Sequence, residues 1–341
     1  MKTISRFFLV ALLIAGISGI SLATDDPINP KHPDRYVVQK GDTLWDISAR
    51  FLRKPWLWPE IWYVNPQIKN PHLIYPGDEL ELVYIDGKPR LRIARQGPLR
   101  LSPRVRANPL ADAIPAIPID AIAPFLTRPL VAEKDELEQK PYIVAFADEH
   151  LAGGAGQRVY VRSIPSSEHK KFDIVRSGQA YKDGDTGEIL GYEALLVGIG
   201  SLRHSGDPAT VFVDASNQEV LTGDRVIPTE MDAMATDFHP HAPAQKVEGN
   251  IIAMFDGITQ IGQYDIVVLD RGHANGLDAG TVLQVKNAGE TIPDNIGGGK
   301  VTLPDESAGL LMVFRSFDRV SFGIIMHATR AMHVGDRVVN P

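Results

Sequence analysis

Seven closely spaced prolines predict that this 341-residue chain folds in separate parts. They fall between Pro98 and Pro129 at intervals of three to six residues. Proline lacks a backbone N–H and disrupts helix interiors and central strands, so this spacing predicts extended, semi-rigid backbone. The second half of the same stretch, from Ile114 to Leu126, is rich in apolar side chains. That composition predicts that this half docks on a folded domain and does not float free.

Composition and charge restrict the functions open to the chain. Cysteine is absent, which excludes thiol catalysis, disulfides, Cys-ligated zinc and iron–sulfur centres. The net charge of −7 lacks the basic footprint of a nucleic-acid-binding protein, so no nucleic-acid partner is expected. The content of 44% hydrophobic and 23% charged residues is typical of a globular protein and excludes a polytopic membrane protein.

The first 23 residues have the pattern of a cleavable export signal. Lys2 and Arg6 flank the start of an apolar run from Phe7 to Ile20, and Ser21-Leu22-Ala23 resembles a cleavage site. The run of about 14 residues is shorter than the roughly 20 that cross a bilayer as a helix. We therefore expect a signal peptide at 1–23 and no transmembrane segment after its cleavage.

Residues 35–84 contain all four tryptophans and have the pattern of a small βααβ domain. A strand at 36–39 precedes a helix at 44–52, for which Thr43 and Asp46 form a capping box. Pro59 is placed to open a second helix, and alternating apolar residues at 80–84 predict the closing strand. So small a domain buries little apolar surface, and large aromatic side chains compensate in the absence of disulfides.

The motifs of this domain resemble those of the LysM family. They are Tyr36-Val37-Val38-Gln39-Lys40-Gly41-Asp42-Thr43-Leu44-Trp45-Asp46-Ile47-Ser48, Asn65-Pro66 and Ile74-Tyr75-Pro76-Gly77-Asp78. The resemblance implies a shallow groove that binds N-acetylglucosamine in peptidoglycan or chitin. It places the groove between the loop before the first helix and the loop before the second strand. The implied glycan-binding residues are Gly41, Asp42, Thr43, Leu44, Asn65, Ile74, Tyr75, Pro76 and Gly77.

One stretch of the domain departs from the family pattern. The connection between the two helices, residues 52–59, is longer and more aromatic than usual and contains Trp56 and Trp58. Each of these side chains either extends the sugar-binding surface or packs beside it, and the sequence leaves both interpretations open.

The residues after Pro141 predict two small β-rich domains without long helices. Short β-prone runs alternate there with Gly, Asp and Pro, over 141–230 and 247–341, and a polar linker at 231–246 separates them. Each ends with the same motif, Gly-Asp-Arg-Val, at residues 223–226 and 335–338. A looser similarity relates 152–159 to 274–282. These repeats indicate two related domains.

The sequence as a whole predicts a multidomain α+β protein: a signal peptide, the βααβ domain, a basic, Pro-rich linker at 85–140 and the two β-rich domains. Seven cations and no anion lie between Lys88 and Arg106, which indicates either a solvated linker or contact with an acidic partner or wall polymer.

Four segments carry a second resemblance: Lys54-Pro55-Trp56-Leu57-Trp58-Pro59-Glu60-Ile61-Trp62, Ala113-Ile114-Pro115-Ala116-Ile117-Pro118, Gln260-Ile261-Gly262-Gln263-Tyr264-Asp265 and Gly309-Leu310-Leu311-Met312-Val313-Phe314-Arg315. Together with the signal peptide and the proline-spaced linker, they resemble the secretin-associated proteins of type IV pili in Gram-negative bacteria. The last domain of the chain is similar to the C-terminal domain of a flagellar assembly protein. This resemblance implies a periplasmic, cell-wall-associated and non-catalytic protein whose partners are peptidoglycan and an outer-membrane secretin.

A LysM-targeted cell-wall hydrolase with an unrecognised catalytic site is the alternative function. Cysteine peptidases are excluded, and His239 and His241 lie in a Pro/Ala-rich break that is unsuited to rigid zinc coordination. The glycines at 297–299 lack the spacing of a phosphate-binding loop. The carboxylate pair of a glycosidase has no signature among 42 acidic residues. We predict no catalytic residue, metal or cofactor.

Overall fold

The computed structural model describes residues 27–62, 74–94, 115–126, 131–132, 134–148, 150–164, 169–229, 238–255, 260–289 and 291–341. The predicted signal peptide 1–23 and Asn65 lie outside these residues. The helices are α1 (Leu44–Phe51), α2 (Trp58–Ile61), α3 (Ile119–Leu126) and α4 (Lys134–Glu138), with short 3-10 turns at Pro55–Leu57 and His273–Asn275. The strands are β1 (Arg35–Val37), β2 (Glu79–Ile85), β3 (Lys88–Ile93), β4 (Val131–Ala132), β5 (Tyr142–Phe146), β6 (Ala152–Gly153), β7 (Arg158–Arg162), β8 (Lys171–Lys182), β9 (Ile189–His204), β10 (Ala209–Ser216), β11 (Val220–Leu221), β12 (Arg225–Pro228), β13 (Glu248–Met254), β14 (Ile266–Leu269), β15 (Val282–Asn287), β16 (Thr291–Pro293), β17 (Lys300–Thr302), β18 (Glu306–Ser316), β19 (Ser321–Ala328) and β20 (Arg337–Val339).

The protein is mostly β-sheet, so the predicted α+β class is wrong. No helix in the described ranges exceeds eight residues, whereas β8, β9 and β18 have 12, 16 and 11 residues. The reason is that the short helices belong to the small N-terminal domain and the connector, whereas the chain from Tyr142 onward builds barrels from strands. None of the helices described is long and apolar enough to cross a membrane.

The N-terminal domain consists of a three-stranded antiparallel sheet, in the order β1-β2-β3, packed against α1 and α2. Its core is built around Ile47, Phe51 and Leu80, which are almost fully buried. Strand β3 lies within residues 85–140, the predicted linker, so the N-terminal sheet extends beyond the predicted boundary at residue 84. Asp86 and Gly87 both have positive φ, as a two-residue β-hairpin turn requires, so the chain returns directly along β2.

The chain after this domain forms two six-stranded barrels with the same topology. The first barrel consists of β5, β7, β8, β9, β10 and β12, and the second of β13, β14, β15, β18, β19 and β20. Counted in chain order, the strands of each barrel follow one another around the ring as first, second, fifth, fourth, third and sixth. The repeated Gly-Asp-Arg-Val motif leads into the sixth strand in both barrels. The shared topology agrees with the internal repeat in the sequence.

The looser similarity between 152–159 and 274–282 does not relate equivalent positions. The first segment leads into the second strand of its barrel, β7, and the other leads into the third strand of its barrel, β15. The structural counterpart of the turn at 154–157 is the turn at 262–265, which precedes β14. Glycine-rich turns of one kind precede several strands in this chain, so similar sequences also occur at positions that are not equivalent in the two barrels.

The long β8–β9 hairpin joins the two barrels. Its tip reaches the second barrel, where Arg271 bonds to Asp183 at 2.9 Å, to Asp185 at 3.3 Å and to the buried Asp270 at 3.1 Å. The backbone N–H of Gly184 also donates to Asp270 at 3.0 Å. The backbone N–H of Thr186, with the Thr186 hydroxyl and Arg271, lowers the pKa of Asp183. The two barrels are therefore held together by a partly buried ionic network.

The apolar half of the connector docks on the second barrel. Ile117 and Ile122 are fully buried, and the Phe125 ring lies 5.0 Å from that of Phe255 and 6.4 Å from that of Phe314. Docking agrees with the apolar composition, but the predicted extended backbone is wrong for 119–126, which form α3 despite Pro124. Packing of the apolar face compensates for the intrahelical hydrogen bond that proline removes.

We predict that Arg271→Ala lowers the free energy of unfolding by about 3 kcal/mol, because it leaves Asp270 and Asp183 without their cation. Urea denaturation at pH 7 measures the effect. The pKa of Asp183 is lower in the folded protein than in the unfolded chain. Its contribution to the free energy of unfolding is therefore complete above the unfolded pKa of about 3.9 and is lost as the pH falls through the folded pKa.

The matched control is Arg319→Ala, which removes a more exposed ion pair with Glu188 at the same hairpin. It should cost at most about 1 kcal/mol. Equal losses in the two variants would contradict the structural role assigned to Arg271.

Candidate functional site

The first loop of the predicted groove is a four-residue turn that an aspartate closes. The backbone N–H of Gln39 donates to Asp42 Oδ2 at 2.8 Å, and the N–H of Asp42 donates to the carbonyl of Gln39 at 3.2 Å. Gly41, the third residue, has φ +97, a backbone conformation that favours glycine. The hydroxyl of Tyr36 donates to the same carboxylate oxygen at 2.9 Å. These bonds fix the loop before α1.

The second loop of the groove repeats this turn. The N–H of Tyr75 donates to Asp78 Oδ2 at 2.9 Å, the N–H of Asp78 donates to Tyr75 O at 3.0 Å, and Gly77 has φ +99. Val38 joins the loops, because its N–H donates to Asp78 O at 2.9 Å and its carbonyl accepts from Gly77 at 2.8 Å. The two loops therefore lie side by side, as the LysM resemblance implies.

Thr43 caps α1, and the hydrogen of its hydroxyl group is already used in a hydrogen bond within the protein. Its hydroxyl accepts from the backbone N–H of Asp46 at 3.1 Å and donates to Asp46 Oδ2 at 2.7 Å. The capping interaction predicted from the sequence is present, although the Asp46 carboxylate bonds the Thr43 hydroxyl instead of its backbone N–H. Thr43 therefore positions the helix and the loop.

The implied glycan-binding residues differ in accessibility. Thr43, Leu44 and Ile74 are buried, so their side chains support the loops. Asp42 and Pro76 are half-buried. The exposed members are Gly41, Tyr75 and Gly77. The open surface thus offers the Tyr75 ring, the Asp42 carboxylate and two glycine backbones, which are an apolar wall and polar groups suited to a sugar.

Two further residues of the site were not singled out from the sequence. Tyr36 and Asp78 hold the loops through the hydrogen bonds described above. The signal for Asp78 was available, because Gly77-Asp78 repeats the spacing of Gly41-Asp42. Burial, followed by the hydrogen bond to Asp42, raises the pKa of Tyr36, so its phenol stays a hydrogen-bond donor at neutral pH.

The four tryptophans are all buried. Trp58 and Trp62 belong to the core of the N-terminal domain, whereas the rings of Trp45 and Trp56 lie 6.5 Å apart and pack with the connector and the second barrel. Trp56 and Trp58 therefore both pack inside the protein, and neither forms an exposed sugar-binding surface.

A cleft of about 400 Å³ separates α1 from the second barrel. Trp45, Asp46 and Arg53 line it on one side, and Gln263 and His327 are among the barrel residues on the other. At its edge the Tyr264 hydroxyl donates to Asp46 Oδ1 at 3.2 Å. The N-terminal domain thus contacts the second barrel through a hydrogen bond and an apolar cluster beside a gap.

Two other clusters have the residue types of a metal site. Oxygens of Asp183, Asp185 and Asp270 lie within 4.8 Å of one another, but Arg271 already bonds all three carboxylates. Elsewhere, one ring nitrogen of His241 lies 3.0 Å from the carbonyl of His239 and the other lies 3.0 Å from a carboxylate oxygen of Asp278. Each arrangement is explained by contacts within the protein.

Comparison with known proteins is consistent with this geometry. The LysM domain family matches residues 36–82. The uncharacterized protein YqbP of Bacillus subtilis (strain 168) is 38% identical over 60 residues, which cover 15% of this chain and 27% of that protein. The chain therefore spans about a quarter of the length of this relative. Residues 36–82 are a LysM domain, a module that binds peptidoglycan and related carbohydrates.

Proposed function

We propose that this protein is a non-catalytic adaptor of the periplasm, which binds peptidoglycan through its LysM domain and an outer-membrane secretin of a type IV pilus through its barrels. The observation that carries the proposal is the pair of aspartate-closed loops at 39–42 and 75–78. Export depends on the predicted signal peptide at 1–23, and the secretin follows from the overall resemblance to secretin-associated proteins.

The open surface of the loops suits the N-acetylglucosamine unit. The Tyr75 ring, 36% exposed, is a wall for the apolar face of a sugar or for its N-acetyl methyl group. One oxygen of Asp42 accepts from Gln39 and Tyr36, which leaves the other available to an amide or hydroxyl donor. Because both loops are fixed by hydrogen bonds, little conformational entropy is lost on binding.

An apolar projection of the second barrel supports a protein partner. Strands β16 and β17 form a hairpin that, in the described chain, pairs with no other strand. Its tip residue Ile296 is fully exposed, and Val301 and Leu303 are more than 40% exposed. These exposed apolar side chains on one unpaired hairpin make it the candidate surface for a protein partner.

We predict that Tyr75→Ala weakens binding of the full chain to N-acetylglucosamine oligomers about tenfold, equivalent to about 1.4 kcal/mol, because the apolar wall is lost. Isothermal titration calorimetry and co-sedimentation with purified peptidoglycan measure it. Tyr84→Ala is the matched control, since Tyr84 is 64% exposed on β2, outside the two loops. Equal binding by the two variants would refute the groove.

The adaptor requires that wall and secretin contacts be separable. Ile296→Asp should weaken capture of a purified, detergent-solubilised secretin while leaving sedimentation with peptidoglycan unchanged, and Tyr75→Ala should have the opposite effects. Leu151→Asp is the control for the charge, because Leu151 is 89% exposed on the first barrel. Failure of the parent chain to bind the secretin would remove the second half of the proposal.

A non-catalytic protein should leave the wall intact. We expect that incubation of the full chain with purified sacculi releases no soluble fragments, with or without added zinc, when the supernatant is analysed by chromatography and mass spectrometry. Fragments whose release persists through repeated purification of the protein would favour a wall hydrolase.

A further inference from the structure

The connector is hydrogen-bonded to the first turn of α1. The backbone N–H of Leu44 donates to the carbonyl of Pro115 at 3.0 Å, and the N–H of Trp45 donates to the carbonyl of Ala116 at 3.2 Å. Amide groups in the first turn of a helix have no intrahelical acceptor. In a LysM domain separated from the connector, these two donors would be open to water or to a ligand.

The same segment covers one wall of the groove. Ile117 is fully buried, and Ala116 packs against the LysM core and the cluster formed with the second barrel. On the α1 wall this segment occupies the N–H groups of Leu44 and Trp45, while the Leu44 side chain is buried in the core of its own domain. By contrast, Tyr75 on the opposite wall remains accessible. The groove is thus half covered by the protein itself.

We infer that residues 115–118 act as an internal competitor for the glycan groove. The chemical basis is that a peptide carbonyl and the carbonyl of an N-acetyl group are the same kind of acceptor, so both suit the N–H groups of Leu44 and Trp45. A glycan that extends onto the α1 wall has to displace the segment. This inference rests on the proposed function, because it concerns the regulation of the same groove.

Displacement of the segment is coupled to the docking of the LysM domain. Residues 115–118 continue into α3, which packs on the second barrel and whose Phe125 carbonyl accepts from Arg315 Nη1 at 3.1 Å. The hydrogen bond from Tyr264 to Asp46 also connects the LysM domain to the second barrel, beside the 400 Å³ cleft. Because coupling between two equilibria is reciprocal, glycan binding favours release of the LysM domain, and release of the domain raises its affinity for glycan.

Only molecules in which residues 115–118 have left the α1 wall, the open state, can bind glycan there. The apparent affinity is therefore the intrinsic affinity multiplied by the fraction of molecules in the open state. Ile117→Asp places a charge in a site that is buried only when the segment is docked, so it should shift the protein to the open state. We expect N-acetylglucosamine tetramer to bind full-length Ile117→Asp at least about tenfold more tightly than the parent, by titration calorimetry. Ile117→Val, which preserves the apolar contact, should bind within about twofold of the parent.

A distance measurement tests displacement directly. Because the chain has no cysteine, Lys31→Cys and Ala123→Cys, both at exposed positions, take two spin labels without background. Lys31 precedes α1 in the N-terminal domain, and Ala123 lies on α3. Saturating tetramer should lengthen the interlabel distance measured by double electron–electron resonance in otherwise unmodified protein.

The possible outcomes separate the inference from the proposed function. Tetramer binding with an unchanged interlabel distance, or equal affinities of Ile117→Asp and the parent, overturns internal competition and leaves glycan binding intact. Absence of tetramer binding in every variant, with the fold verified by circular dichroism, refutes the proposed function and the inference together.

Discussion

The structure depends on a single kind of turn, in which the side chain of the fourth residue accepts a hydrogen bond from the backbone N–H of the first. A backbone bond in the opposite direction closes the turn, and the third residue has positive φ. It occurs at both groove loops and before the sixth strand of each barrel, where Asp224 accepts from Leu221 at 2.7 Å and Asp336 accepts from His333 at 2.8 Å. The same local chemistry therefore positions the two groove loops and closes the barrels.

The barrel turns also show how a buried carboxylate is tolerated. Asp224 is bonded by Arg176 of the third strand at 2.7 Å, and Asp336 by Asn287 of the third strand at 2.8 Å. In each barrel a donor from the third strand thus satisfies the aspartate that precedes the sixth strand. A buried carboxylate without such donors would lower the free energy of unfolding by roughly several kcal/mol. The turn and its donor therefore have to be present together.

The turn at 262–265 is the informative exception. Tyr264 occupies the position that glycine takes in the four turns at 39–42, 75–78, 221–224 and 333–336, and its φ of +70 is unfavourable for a bulky side chain. Its N–H donates to Ile325 O at 2.7 Å, and its hydroxyl reaches Asp46 on α1. Burial, followed by the charge of Asp46, raises the pKa of the Tyr264 phenol, which keeps its proton for this bond. Backbone strain here coincides with the LysM–barrel contact.

Local chemistry explains which features the sequence could predict. The cap at Thr43, the glycine-aspartate turns and the repeated motif before β12 and β20 all depend on residues within four positions of one another, and the structure contains them. Closure of each barrel depends on pairs far apart in the chain, such as β5 with β12, which no local pattern specifies. The docking of Ile117 against Trp45 and Trp56 is also long-range. Because of it, part of the predicted linker is a packed contact between the LysM domain and the second barrel.

This contact between the LysM domain and the second barrel changes how an adaptor of this kind would work. With the LysM domain docked on the second barrel, wall and protein contacts would be held at a fixed separation. The 25 residues from 94 to 118, if freed and fully extended, could span at most about 90 Å. A second binding event is strongest when the tether length matches the gap between the two sites, and weaker when the tether is longer. If glycan binding releases the docked LysM domain, the distance that the protein can span between its two binding sites would be short before binding and long afterwards. Engagement of the wall would then itself lengthen the bridge to the second partner.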